Sequence, residues 1–500
     1  MKKNSHITVK DMFCGAGGNS LGFRRISKKM GGGIDVKVAM NHWPLAIETH
    51  NTNFPETIHD CADVSEQNPR RYPSTDILVA SPECTNHSLA KGKKRKQRTD
   101  LFTSLDPSAE RSRATMWDVP RFAEVHNYNI VIVENVVDAR YWIMWDAWLK
   151  AMHSLGYLHK CVYYNSMHAH PTPQSRDRLY VVFWKKGNKA PNLELRPIAY
   201  CPRCVRDTET FQSWKKPSVN WGKYKQQYVY RCPSCNDVVE PYYYAAFNCI
   251  DWSIPGTRIG DRKKPLSPNS EKRVKFGIQK FWNEPQIIAT RYTSGIDHRV
   301  KSALNSPLPT QPADASHAIL NPIISVSGYP PILASREYDR QNEKVRDAIK
   351  DAMFTQTTHQ NMALVMPFIV EGKGQSKARS TNDRLACITT KSYHSLVSSD
   401  SFNSFIAQYY NGSNVVSDIK DAARTFTTKE RSALITQGEK PRYEDCYYRM
   451  IVPHEVQKGM AFDDDYIILG NGKEKTKQLG NAVTPPVIED LGSRCIETLI

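Results

Sequence analysis

The chain has 500 residues, of which 40% are hydrophobic, and carries a formal net charge of +17. That length exceeds one comfortable core, so two domains or a domain with a large insertion are expected, and the charge points to a polyanionic partner, first of all nucleic acid. The 12 cysteines are dispersed and no apolar signal segment follows Met1-Lys2-Lys3, which disfavours a secreted disulfide framework; no run approaches the ~18 apolar residues of a membrane span. The expectation is a protein of a reducing cytoplasm with no membrane partner.

Val9–Phe13 reads as a short strand, followed by the glycine-rich turn Cys14-Gly15-Ala16-Gly17-Gly18 and a helical pattern from Asn19 to Met30. Such a turn between strand and helix lets a ligand approach the backbone, although its spacing differs from the usual dinucleotide fingerprint and an ordinary tight turn would look the same. Val36–Met40 is a second strand, ending at Asn41-His42-Trp43, and Pro44–Asn53 reads as the helix returning across the sheet. A carboxylate normally grips ribose hydroxyls at the end of this strand, but Asn41 or His42 stands there. Asp60 and Asp63 follow, where an acceptor could take an adenine amino group.

Asp76–Ala80 is a buried strand ending at Ser81-Pro82-Glu83-Cys84. Reaction sites of open parallel sheets gather at the carboxyl ends of strands, so Cys84 stands where a nucleophile is useful; alone, it could equally be a small core residue. The basic run Lys91–Arg98 that follows is a solvated loop, an import signal or a phosphate clamp. Ile130–Val133 is a further buried strand ending at Glu134-Asn135-Val136, where the carboxyl group is either structural or a proton donor. Gln174-Ser175-Arg176-Asp177-Arg178 leads into the strand Leu179–Phe183, and two alternate arginines can hold an anion or orient a carboxylate.

With these motifs in order, the chain resembles the cytosine-C5 DNA methyltransferases of bacterial or phage type. Asp11–Phe23 is similar to that family's first motif, Ser81–Ser88 to its nucleophile loop, Glu134-Asn135-Val136 to its ENV motif and Gln174–Arg178 to its QxRxR motif. Near the end, Arg449–Phe462 and Gly480-Asn481-Ala482-Val483 with Pro485 are similar to its last two. The resemblance covers residues 1 to about 184 and 445–500. It implies an α/β fold with a Rossmann-like methyltransferase sheet carrying helices on both faces, and transfer of a methyl group from S-adenosyl-L-methionine to C5 of a cytosine flipped out of double-stranded DNA. Cys84 would add to C6 of the ring, Glu134 would bind near N3, and Arg176 and Arg178 would hold the base. Phe13, Gly15, Gly17, Gly18, Trp43, Asp63, Asn481 and Val483 would surround the cofactor.

Two departures stand out. The usual Pro-Pro-Cys-Gln is here Pro82-Glu83-Cys84-Thr85, which sets a carboxylate beside the thiol, and His42 occupies the place of the acidic ribose ligand.

Cys201-Pro202-Arg203-Cys204 and Cys232-Pro233-Ser234-Cys235 form two CxxC knuckles whose spacing predicts a tetrahedral, structural zinc site in a zinc-ribbon insertion, residues 185–284. Between them Trp214, Lys215, Lys216, Trp221, Lys223, Tyr224 and Lys225 either meet nucleic acid or pack the ribbon. Residues 285–444 read as an irregular β-rich repeat. Four stretches, Thr310–Leu320, Thr355–Val365, Cys387–Val397 and Thr425–Ile435, run to apolar tips, and units open on pairs such as Ile287-Ile288, Ile323-Ile324, Phe368-Ile369 and Phe405-Ile406. In the resembling family this place holds the target-recognition domain; the threonine pairs Thr357-Thr358, Thr389-Thr390 and Thr427-Thr428 touch DNA or serve β propensity. The catalytic domain would comprise residues 1–184 completed by 445–500, with no obligate protein partner evident. An RNA cytosine-C5 methyltransferase and a catalytically silent DNA-binding protein are the alternatives; an amino-methyltransferase would need no thiol.

Overall fold

The computed structural model describes residues 6–83, 115–251 and 443–500 and, between residues 254 and 438, shorter segments and strands. Cys84, the basic run Lys91–Arg98, Ile323-Ile324, the stretch Thr355–Val365 and the three threonine pairs lie outside the described residues. The chain divides into two compact units, residues 1–250 with 289–317 and 450–500, and residues 251–288 with 318–449.

The first unit is built on a seven-stranded sheet. Its strands are β1 (Ile7–Met12), β2 (Ile34–Asn41), β3 (Ile58–Cys61), β4 (Ile77–Ala80), β5 (Ile130–Asn135), β6 (Tyr157–Asn165) and, after the two-residue β7 (Gln174–Ser175), β8 (Asp177–Lys185). The order is β3-β2-β1-β4-β5-β8-β6; β3 through β5 are parallel, and β8 runs antiparallel to both β5 and β6. The chain moves outward from β1 to β3 and then returns to β4 on the other side of β1. A strand order that reverses in this way opens a crevice at the carboxyl ends of β1 and β4.

Helices cover both faces, which is why the central strands read as continuous apolar runs rather than alternating ones. Leu78 and Ala80 pack with Val131, Phe122 and Trp148 under α3 (Asp118–His126) and α4 (Trp145–Ser154), while α2 (Pro44–Asn53) follows β2. Ile77 and Val79 point the other way, toward Phe23, Ile26, Ile488 and Leu491 of α1 (Gly18–Met30) and the last helix. The C-terminal segment supplies α5 (Pro453–Gly459), α6 (Gly472–Asn481) and α7 (Pro485–Ile496). α7 lies against α1 at glycines: a Cβ on Gly22 would stand 2.8 Å from Ile488, and one on Gly492 2.8 Å from Ile26. The last residues thus complete the core that the first ones begin.

The cysteine segment in the same unit is a pair of small antiparallel sheets. β9 (Ile198–Cys201) pairs with β10 (Arg206–Glu209), and β12 (Tyr228–Arg231) lies between β11 (Phe211–Trp214) and β13 (Val238–Val239). Trp214, Tyr224, Tyr228 and Tyr230 pack inward among Tyr163 and His168, and Trp221 packs against the same cluster while lying edge-on to the exposed Tyr141, so these aromatics take the packing role.

The second unit is β-rich among its described residues. It holds the hairpin Ala334–Asp339 with Asn342–Asp347, and two three-stranded sheets centred on Phe368–Glu371 and Phe402–Tyr410. The apolar tips near residues 320, 397 and 435 fall on the strands His317–Asn321, His394–Val397 and Ser432–Gly438. Among the described residues no helix is long and apolar enough to cross a membrane.

Candidate active site

The glycine turn sits at the head of the crevice, and its glycines are required for different reasons. Gly15 has φ +52° and a Cβ there would meet open space, so this side of the turn is available to a ligand. Gly17 and Gly18 are closed in by the end of the chain: a Cβ on Gly17 would stand 2.3 Å from the Tyr466 hydroxyl, and one on Gly18 2.0 Å from the Val483 carbonyl oxygen. Tyr466 donates to the Ala16 carbonyl at 2.6 Å, fixing the turn from behind. Beneath it Asp11, fully buried, accepts from Asn19 Nδ2 at 3.1 Å and from Ser20 Oγ at 2.7 Å. Burial pushes the Asp11 carboxyl up to about 6 against those two hydrogen bonds.

The exit of β4 is held at successive residues. Ser81 N donates to the Met12 carbonyl at 3.1 Å, Asn19 Nδ2 reaches Ser81 Oγ at 3.2 Å, and Asn135 Nδ2 reaches the Pro82 carbonyl at 3.5 Å. Asn135 thereby ties the exit of β4 to the end of β5. Beside it Glu134, 8% exposed, meets Arg178, whose Nε lies 2.9 Å from Glu134 Oε1; the Arg178 Nη1 group donates to the Asp177 carbonyl. A buried carboxylate held by a guanidinium at a crevice mouth is oriented, and keeps a second oxygen for another donor.

Arg176 lies elsewhere. Its guanidinium, 4% exposed, donates from Nη1 to the Gly480 carbonyl and from Nη2 to the Ala482 carbonyl, both at 3.1 Å. It therefore clasps the loop that carries Val483 onto Gly18.

Around the ends of β2 and β3, Trp43 is half-buried and its N–H is taken by Asn41 Oδ1 at 2.9 Å, while Lys477 Nζ lies 4.4 Å from its ring centroid. Phe13 is half-buried with φ +64°. Asp63 is exposed and caps the short turn Val64–Glu66 by accepting from Ser65 N, and Asn481 is exposed at the end of α6. The two atypical residues face one another: His42 Nδ1 and Glu83 Oε1 are 3.7 Å apart.

Sequence patterns did not single out Tyr466, Lys477, Asn19 or the clasping role of Arg176, because each depends on a partner remote in the chain. Asp11 did carry a signal, as one of two adjacent charged residues, with Lys10, in the strand Ile7–Met12.

The four cysteines come together as the spacing predicts. Their sulfurs all lie within 4.8 Å of one another, with Cys201–Cys235 at 3.4 Å and Cys204–Cys232 at 3.8 Å, and none forms a disulfide. Zn–S bonds of ~2.3 Å in a tetrahedron set sulfurs roughly 3.8 Å apart, so the donor set fits that ion. Backbone N–H groups of Cys235 and Ser234 lower the Cys232 thiol to about 6, while hydrogen bonds among the clustered sulfurs push Cys204 up, so Cys232 ionises before Cys204.

A reversed strand order with a glycine turn, a clamped strand exit and a buried carboxylate–guanidinium pair at one crevice defines an α/β protein with a candidate ligand site at the carboxyl ends of its strands. The sequence matches the C-5 cytosine-specific DNA methylase family over residues 7–234 and 332–497, and the protein belongs to that family. The type II methyltransferase M.HgiGI of Herpetosiphon aurantiacus is 36% identical over 84 residues, which cover 16% of this chain and 61% of that relative, less than two thirds of its length. Among solved structures, the chain is similar to a protein described as a DNA modification methyltransferase encoded within an E. coli prophage (TM-score 0.41, 13% identity, 99% of each chain). It is also similar to a DNMT2 variant of Spodoptera frugiperda (0.45, 13%, 98% and 99%) and to the methyltransferase EhMeth of Entamoeba histolytica (0.45, 10%, 99% of each).

Proposed function

We propose that the protein transfers a methyl group from S-adenosylmethionine to C5 of cytosine in a specific sequence of double-stranded DNA. The observation that carries this is the Glu134–Arg178 pair set beside the clamped exit of β4, two residues before position 84, in a chain of this family. Phe13, Gly15 and Trp43 would hold the cofactor, which when bound would supply an electrophilic methyl group and leave as S-adenosylhomocysteine. Two observations support this placement: the turn is open at Gly15 but closed at Gly17 and Gly18, and the half-buried rings of Phe13 and Trp43 follow the carboxyl ends of the neighbouring strands β1 and β2.

Within this reading the chain's own groups divide the work. Cys84, as thiolate, forms a bond to C6 of the flipped base and makes C5 nucleophilic. Glu134 hydrogen-bonds the ring near N3 and offsets the developing charge; Arg178 holds Glu134 and reaches the base oxygen. Arg176 acts through position, keeping Val483 and the end of the cofactor pocket in place. After transfer the C5 proton leaves and the Cys84–C6 bond breaks, which restores the thiolate. We assign residues 1–184 with 445–500 to catalysis, 185–284 to a module stabilised by zinc on Cys201, Cys204, Cys232 and Cys235, and 285–444 to target recognition.

The test is covalent trapping. A duplex containing 5-fluorocytosine, which has no C5 proton to lose, should give a stable adduct at Cys84 that Cys84→Ser abolishes without abolishing DNA binding. A wild-type protein that binds cofactor yet forms no adduct with any cytosine duplex would sink this mechanism. An adduct with RNA alone would reassign the substrate.

A further inference from the structure

The two departures from the family pattern, His42 and Glu83, form a single pair at the carboxyl ends of β2 and β4. The sheet order places β1 between β2 and β4, so residues leaving β2 and β4 meet across the carboxyl end of β1 and its glycine turn. His42 follows the end of β2 and Glu83 lies three residues beyond β4, and their side chains stand 3.7 Å apart at 57% and 40% exposure. In open sheets of this kind an acidic residue at the end of β2 accepts hydrogen bonds from the ribose of a nucleotide-type ligand. No carboxylate occupies that place in this chain, and Asn41 Oδ1 is taken by the Trp43 N–H. The nearby acids of β3 and its exit are engaged as well: Asp60 accepts from Tyr72 Oη at 2.5 Å, and Asp63 accepts from Ser65 N. Glu83 is the carboxylate that the fold brings back to the end of β2.

We infer that Glu83 supplies, from β4, the acceptor for the ribose hydroxyls of the methyl donor, and that His42 is the positioning residue that turns its carboxylate toward β2. This rests on the donor pocket proposed above. A carboxylate can accept from both hydroxyls of a vicinal diol at once, which an imidazole with a single acceptor nitrogen cannot do. Moving the acid from one strand end to the other keeps the diol recognised while substituting residues at both positions. It also gives Glu83 an employment other than opposing ionisation of the neighbouring thiol.

The experiment is isothermal titration of the full chain, without DNA, using S-adenosylhomocysteine and its 2′-deoxyribose analogue. Wild type should bind the parent compound ~10- to 100-fold more tightly than the analogue, the range for hydrogen bonds to a charged group. Glu83→Gln should weaken the parent by that factor and erase the discrimination, and His42→Ala should reduce both in part. The double variant His42→Glu, Glu83→Gln, which returns the acid to β2, should restore discrimination. Melting curves confirm that each variant is folded. If Glu83→Gln keeps both affinity and discrimination, the inference is wrong; if that variant does not fold, unchanged discrimination in His42→Ala overturns it equally. Wild type that binds neither compound overturns the donor pocket itself, whereas wild type that binds both alike overturns only the role of Glu83.

Discussion

Arg176→Met separates a clasp from a catalytic group. The wild-type guanidinium makes two buried hydrogen bonds to backbone carbonyls of Gly480 and Ala482, more than 300 residues away in sequence. A hydrogen bond to a charged group contributes about 1.5–3 kcal/mol, and methionine fills the volume but leaves both carbonyls without these donors. The expected loss is roughly 3–5 kcal/mol, allowing for incomplete additivity. At about 2–4 °C per kcal/mol for a large domain, the transition of the first unit should fall by on the order of 10 °C. Scanning calorimetry reads that shift, and limited proteolysis should cut the variant early in the segment from 480 to 485. Methyl transfer measured well below the lowered transition should persist, because the guanidinium holds the backbone loop that carries Val483 onto Gly18. A variant that melts with wild type yet has lost turnover would show that Arg176 contacts the base directly, and the clasp would be refuted.

Glu134→Gln keeps a hydrogen-bonding partner for Arg178 and should melt near wild type while kcat falls ~10²- to 10³-fold, as expected when one charge-stabilising group is removed. Gly18→Ala drives a Cβ to 2.0 Å from a backbone oxygen, which cannot rotate away; a loss of about 1–3 kcal/mol by denaturant titration is expected, together with weaker cofactor binding. Metal analysis should find one zinc per chain, and Cys232→Ser or prolonged chelation should lower both zinc content and melting temperature; zinc-free protein of unchanged stability would remove the metal assignment. The Asp11 carboxyl rises from 3.8 to about 6 on folding, so the folded state holds its proton more tightly than the unfolded state does. Its contribution is full below pH 3.8 and is lost as pH rises through about 6, worth on the order of 3 kcal/mol from the two limits. The stability of Asp11→Asn relative to wild type should therefore increase from pH 4 to pH 6.5, and a pH-independent difference would contradict the shift.

The residue types and local spacings of this chain announced much of the site by themselves. The buried strands read as apolar runs because both faces of a covered sheet demand them, and the turn Gly15–Gly18, the ENV tripeptide and the two CxxC knuckles are chemistry compressed into a few adjacent residues. Helix α2 begins at Pro44 and ends at Asn53, as its pattern predicts, since a proline and a short periodic stretch are local signals. What no local signal carried is who meets whom. The two arginines of Gln174–Arg178 look equivalent in sequence, yet one holds Glu134 and the other holds the C-terminal loop. Tyr466 is aimed at a turn 450 residues earlier, and two residues that looked like separate anomalies, His42 and Glu83, are neighbours. Those pairings follow from strand order: only after β4 returns to the far side of β1 do the ends of β2 and β4 face each other, and only after α7 docks on α1 does Val483 reach Gly18. Periodicity sets which face of an element is buried, whereas the packing of distant elements sets the partner of each polar group, and here the packing decided how the recognised motifs are joined.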